Sequence, residues 1–151
     1  MSHTFRHIPG TYLRPRGKDD MSNSYSSKSA SSGASRITIT ELAKWKSAHQ
    51  KWAMLTSYDA MTAGIFEGAG IPVLLVGDSA GNNFFGHANT LPVTVDEMIS
   101  LTSAVVRGTS SALIIADLPF GSYEVSAEQA LATGIRFIKE AQAQAVKLEG
   151  G

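Results

Sequence analysis

Cysteine is absent from all 151 residues, which excludes disulfides and thiolate metal sites. Charge is sparse, at 17% of residues, and 13 basic side chains balance 13 acidic ones. The chain therefore carries no electrostatic footprint for nucleic acid or an anionic membrane surface. Long apolar runs are missing too. Nothing approaches the roughly 18 consecutive apolar residues of a membrane span, and the first 35 residues hold no apolar core followed by a cleavage site. These absences lead to the expectation of a soluble protein of a reducing compartment, placed in the cytoplasm. What is present is enough hydrophobic residue, 43%, for one genuine core.

Composition divides the chain near residue 36. Eight of the fourteen residues from Ser22 to Ser35 are serine, with almost nothing to bury. Such a stretch cannot offset its own ordering entropy, so residues 1–35 read as a disordered Ser-rich N-terminal extension. Pro9, Gly10, Pro15 and Gly17 interrupt every element that could start before it. Met21 is an alternative start to Met1. Lys28 and Arg36, with no acid between them, also allow a mitochondrial transit peptide, although no amphipathic helix is evident.

From Arg36 the pattern turns regular. Thr38 and Glu41 have capping-box spacing and, with Leu42 and Trp45 as an apolar stripe, predict a helix over 38–49. Trp52 to Ser57 reads as a short buried strand. Asp59 caps a helix with Met61, Ile65 and Phe66 on one side, ended by Gly68 and Gly70. Pro72 opens the next strand, where its missing N–H does least harm. Val73 to Val76 is apolar on both faces, as a parallel strand covered by helices must be. After Gly77-Asp78-Ser79 a glycine-punctuated loop runs to Pro92. Thr94 and Glu97 form a second capping box, before Met98, Leu101, Thr102 and Val105 recur at helical spacing until Gly108. Ala112 to Ala116 is another buried strand, ending at Asp117. Ser126 and Gln129 offer a third capping box ahead of Leu131, Ile135 and Ile138. Ala145 to Leu148 then leads into Glu149-Gly150-Gly151.

A helix followed by β-α-β-α-β-α-β implies a parallel sheet with right-handed crossovers. An open doubly wound sheet and a (β/α)8 barrel compete. Gly68-Ala69-Gly70 is the nearest approach to a dinucleotide fingerprint, but position 73 is valine and the run follows a helix rather than a strand. The carboxylates favour the barrel. Asp78, Asp117 and Glu149 stand at three successive strand ends, 39 and 32 residues apart. A barrel of about 250 residues spends roughly 31 on each unit, and its active site lies at the C-terminal ends of the strands. The fold expected is thus α/β, the N-terminal half of a (β/α)8 TIM-type barrel, with about four β/α units over residues 36–151 preceded by a helix.

Three oxygen donors without histidine or cysteine suit a hard cation such as Mg2+, which polarises a carbonyl and stabilises an enolate. The plain alternative is that each acid only caps the loop or helix that follows it. Lys147, two residues before Glu149, points to the same side of its strand. It could bind a substrate carboxylate or a developing oxyanion, or form a structural ion pair. Ser79 could donate to a substrate oxygen or satisfy its own loop.

Leu75-Val76-Gly77-Asp78-Ser79, Gly86-His87 with Thr90-Leu91-Pro92-Val93-Thr94, Ala116 to Phe120 and Val146 to Gly151 together resemble ketopantoate hydroxymethyltransferase, in order and in approximate spacing. Leu55 to Asp59 fits as well, so the resemblance covers about residues 37–151. It implies transfer of a hydroxymethyl group from 5,10-methylenetetrahydrofolate to 3-methyl-2-oxobutanoate, giving 2-dehydropantoate for pantothenate synthesis. It implies one Mg2+ per site on Asp78 and Asp117, with Glu149 as a further metal-site acid. It also implies contact of Asp78, Ser79, Asp117 and Lys147 with the oxo acid, and a homo-oligomer for the full-length enzyme. His87 matches a loop histidine of some relatives and is read as solvent-exposed, without a role.

Family members run well beyond this length, and their general base is a glutamate on a strand expected after Gly151. No catalytic base is therefore assigned among these residues, and the 151 residues alone are expected to be inactive. Two rivals remain. One is another Mg2+-dependent enolate-forming barrel acting on oxo acids, of the isocitrate lyase and phosphoenolpyruvate mutase kind, which would need no folate. The other is a non-catalytic interaction fragment pairing through open sheet edges.

Overall fold

The computed structural model describes residues 35–150. The readings made of residues 1–34, the disordered extension, the transit peptide and the alternative start, lie outside these described residues.

Four parallel strands form one sheet in the order β1-β2-β3-β4. They are β1 (Met54–Thr56), β2 (Val73–Val76), β3 (Leu113–Asp117) and β4 (Ala145–Lys147). The helices are α1 (Ile39–Ser47), α2 (Ala60–Gly68), a short α3 (Ala80–Asn83), α4 (Val95–Arg107) and α5 (Ala127–Lys139). Each strand neighbours the next in sequence, which is the connectivity of consecutive β/α units. The helix α3 lies where the sequence suggested only loop.

The start signals mostly act as their chemistry dictates. Thr38 and Thr94 each accept from the amide of the glutamate three residues on, and Glu41 and Glu97 return the bond to the cap amide. Asp59 accepts from the Thr62 amide at 2.8 Å. Ser126 accepts from the Gln129 amide, but the third capping box does not close. Gln129 accepts instead from the Val125 amide at 3.0 Å and donates to the Gly121 carbonyl at 2.9 Å, tying down the loop before α5.

The core fills around β2, β3 and α4. Leu74, Val76, Ile114 and Ala116 are fully buried against Met98, Val105 and Phe137. The α4 stripe Met98, Leu101, Thr102 and Val105 is buried as its spacing requires. Elsewhere burial departs from expectation. The strand expected to be buried at 52–57 is exposed along all of β1, because β1 pairs only with β2 among the described residues. Helix α1 ends at Ser47, short of His49, and buries no residue completely. On α2 the inward residues are Ala63 and Phe66, whereas Met61 and Ile65 face out. On α5 Phe137 is buried, while Leu131, Ile135 and Ile138 are 65%, 52% and 48% exposed. With Val146 of β4 and Leu148 they line an open apolar groove of about 480 Å³.

Two features secure the sheet at the end away from the strand C-termini. Glu67, one residue before the end of α2, accepts from the amides of Ser110, Ser111 and Ala112 and from both serine hydroxyls, at 2.7 to 3.1 Å. Burial works against its charge, yet these donors outweigh it and hold the carboxyl down at about 2. Arg36 donates to the carbonyls of Thr109 and Ala112 in the same turn. The segment that launches β3 is thus clamped from both sides. Gly108, expected only as a helix stop, has an ordinary φ of −78°. Its missing side chain is what α2 requires, since a Cβ there would stand 2.3 Å from the Ala60 carbonyl oxygen.

Candidate active site

Parallel pairing aligns the strand ends. Val76 is opposite Ala116, and Asp117 is opposite Lys147. A parallel register with short overruns therefore carries Asp78, Asp117, Lys147 and Glu149 to one edge of the sheet. The C-terminal edge is the one on which barrel enzymes build their sites.

Asp117 is the buried centre of this edge, its side chain 5% exposed. One carboxylate oxygen, Oδ2, accepts from the Asp78 amide at 3.2 Å. The other, Oδ1, faces the Lys147 ammonium at 2.9 Å. Oδ1 is buried, and the Lys147 ammonium is its one polar partner among the described residues. Lys147 is also paired with Glu149, whose side chain is 64% exposed. The pairing is asymmetric. Burial raises the Asp117 pKa above the usual aspartate value in spite of the ammonium beside it. For Lys147 burial is the largest single influence and opposes the charge, yet Glu149 and Asp117 together outweigh it and hold the pKa above the ordinary lysine value. The structural ion pair weighed for Lys147 is therefore present, and it joins the residues expected to form the site.

Asp78 is half-buried and lines an open pocket of about 390 Å³ together with Thr90, Leu91, Phe120, Tyr123 and Glu149. Ser79 turns its hydroxyl to the Tyr58 phenol at 2.8 Å. Tyr123 accepts from the Gly150 amide at 3.0 Å, tying the loop after β3 to the residue that follows Glu149. Neither tyrosine was singled out from sequence. Tyr58 lies within the Leu55 to Asp59 stretch, but nothing in its spacing indicated a partner. His87 is half-buried rather than solvent-exposed, its ring centroid 5.9 Å from that of Phe85. It touches none of these groups through a hydrogen bond among those described.

The expected trio Asp78, Asp117 and Glu149 does not close into a cluster of three acids among the described residues. The reason is local, because the Lys147 ammonium meets both Asp117 and Glu149. What remains still fits a hard divalent cation. The ligand atoms on offer are carboxylate oxygens, one of them buried with only the Lys147 ammonium beside it, and Mg2+ ordinarily takes one or two carboxylates from a protein and the rest from substrate and water.

Comparison with known proteins bears on both fold and family. A family model described as ketopantoate hydroxymethyltransferase matches residues 36–151. The 3-methyl-2-oxobutanoate hydroxymethyltransferase of Saccharopolyspora erythraea is 62% identical over 116 residues, covering 77% of this chain and 40% of the relative. The enzyme of the same name from Streptomyces avermitilis is 60% identical over 119 residues, covering 79% of this chain and 42% of the relative. The chain thus spans about two fifths of the length of the relatives it matches. Among solved structures, 2,3-dimethylmalate lyase, a member of the PEP mutase/isocitrate lyase superfamily, superposes with a TM-score of 0.54 at 18% identity. That match covers 71% of this chain and 37% of the lyase, and it shows the fold: a parallel α/β sheet of the TIM-barrel class.

Proposed function

Because this chain belongs to the ketopantoate hydroxymethyltransferase family, we propose that its residues serve hydroxymethyl transfer from 5,10-methylenetetrahydrofolate to 3-methyl-2-oxobutanoate, giving 2-dehydropantoate. The observation that carries this reading is the Asp117–Lys147–Glu149 group beside Asp78, at the C-terminal edge of a barrel-type sheet. In the overall reaction the C3–H bond of the oxo acid breaks and a carbon–carbon bond forms to the one-carbon unit. Water supplies the new hydroxyl as tetrahydrofolate leaves.

Asp78 and Asp117 would hold one Mg2+, with Glu149 as a further acid at its margin. The cation, when bound, supplies Lewis-acid polarisation of the 2-oxo group. The residues of the chain do the rest of the binding. Lys147 pairs with the substrate carboxylate, a role supported by an ammonium held firmly in its charged form. Ser79 donates to a substrate oxygen. Asp117 stays oriented through the Asp78 amide on one oxygen and the Lys147 ammonium on the other. The family likeness assigns proton abstraction at C3 to a glutamate of a later strand, and no described residue is given that role here. It also supports cytoplasmic placement and assembly into a homo-oligomer; among the described residues no helix is long and apolar enough to cross a membrane.

The test is a hybrid in which residues 36–151 replace the matching segment of the Saccharopolyspora erythraea enzyme. Tetrahydrofolate formation dependent on 3-methyl-2-oxobutanoate and Mg2+ is expected. Its abolition by Asp117→Asn, with the fold retained, supports the assignment; a hybrid that folds but does not turn over refutes it.

A further inference from the structure

Ser79 stands at the N-cap position of α3, where a serine hydroxyl ordinarily accepts from an amide of the first turn. Here it makes no capping bond. Its Oγ lies instead 2.8 Å from the Tyr58 phenol oxygen, just beyond the end of β1. Asn83, at the last position of α3, donates its side-chain amide to the same phenol oxygen at 3.4 Å. The Phe84 ring packs beside Tyr58 at 6.1 Å, limiting the swing of the phenol. Gly77 supplies the space for this rotamer, because a Cβ there would stand 2.9 Å from Ser79 Oγ. A serine spared from capping, a phenol aimed at it and a glycine beneath it are three separate features serving one hydroxyl.

A phenol has a single proton and can accept through its lone pairs. With its oxygen accepting from Asn83, the Tyr58 hydroxyl has a proton to give to Ser79 Oγ, an arrangement that leaves the Ser79 proton for a further acceptor. We infer that Tyr58, backed by Asn83, is a positioning residue that sets the Ser79 hydroxyl as a hydrogen-bond donor toward an oxygen of the oxo acid. The inference rests on the oxo-acid reading of the site. It adds a residue that reaches the substrate only through another.

Two measurements test it, and they fail separately. In the active hybrid enzyme, Tyr58→Phe and Ser79→Ala should each raise KM for the oxo acid about tenfold, the worth of one well-placed hydrogen bond to a charged ligand. Tyr58→Phe should leave kcat and the KM for methylenetetrahydrofolate within about twofold. The double variant should be no worse than Ser79→Ala alone, because Tyr58 acts only through that hydroxyl. Additive losses, or a Tyr58→Phe enzyme with unchanged KM beside an impaired Ser79→Ala, overturn the inference. The second measurement needs no substrate: scalar couplings report the Ser79 χ1 rotamer in the 151-residue chain. One rotamer in the parent and averaging in Tyr58→Phe support the positioning role. Couplings unchanged by the substitution overturn it, whatever the ligand of the site proves to be.

Discussion

Replacing Glu67 by glutamine removes one charge from a carboxylate that accepts from three successive amides and two hydroxyls at the start of β3. The carboxyl is held at about 2, against an ordinary value of 4.5. A drop of that size corresponds to about 3 kcal/mol at roughly 1.4 kcal/mol per pH unit. Glu67 sits at the rim of the clamp, where solvent screens part of the field, so about 2 kcal/mol is the expected loss at neutral pH. The glutamine NH2 would also face amide donors where an acceptor is needed. The sign with pH is fixed by the depressed value. The contribution is fully present above 4.5 and fades as pH falls through 2. Urea unfolding of parent and Glu67→Gln chains should therefore differ by a constant amount from pH 7 to 5 and converge between pH 4.5 and 2. A difference below about 0.5 kcal/mol at pH 7, or one that persists unchanged to pH 2, refutes the clamp as described.

Gly108→Ala should destabilise by about 3 kcal/mol, since its Cβ would meet the Ala60 carbonyl at 2.3 Å. Gly68→Ala, with nothing within 4 Å of its Cβ, should lie within about 0.5 kcal/mol of the parent, and thermal unfolding of the two variants reads the contrast. Asp117→Asn should raise the melting temperature in the absence of metal, because burial works against the Asp117 charge, and should remove any stabilisation by added Mg2+. An unchanged or lowered melting temperature would count against that burial cost. Ile135→Lys should leave unfolding of the 151-residue chain within about 0.5 kcal/mol while lowering self-association by light scattering, as its side chain is 52% exposed.

Sequence legibility followed the number of neighbours an element has. Helix α4 lies across β2 and β3, so its period alone identified Met98, Leu101 and Val105 as buried. The stripes on α2 and α5 were equally periodic, yet Met61, Ile65, Leu131 and Ile135 face out. Periodicity reports that a stripe exists, not what covers it. The capping signals were local and mostly held, but the Gln129 side chain accepts from the Val125 amide rather than from that of Ser126. At the site, the strand-end rule placed Asp78, Asp117 and Glu149 on one edge, and the two-residue spacing to Glu149 added Lys147, whose ammonium meets both Asp117 and Glu149. It missed Tyr58 and Tyr123, whose partners lie 21 and 27 residues away, and Glu67, whose partners lie 43 to 45 residues away. A phenol or a carboxylate that serves a distant backbone amide leaves no mark on local spacing.

The central claim is that these residues carry the metal-binding and oxo-acid-binding side of a hydroxymethyltransferase site, without its proton-abstracting side. Proton NMR of 3-methyl-2-oxobutanoate in D2O with the 151-residue chain and Mg2+ reads both halves at once. The account predicts Mg2+-dependent broadening of the methyl resonances, lost in Lys147→Met and Asp117→Asn, with no exchange of the C3 hydrogen above the rate in buffer. Absence of broadening, or catalysed C3 exchange by the unaided chain, would contradict it.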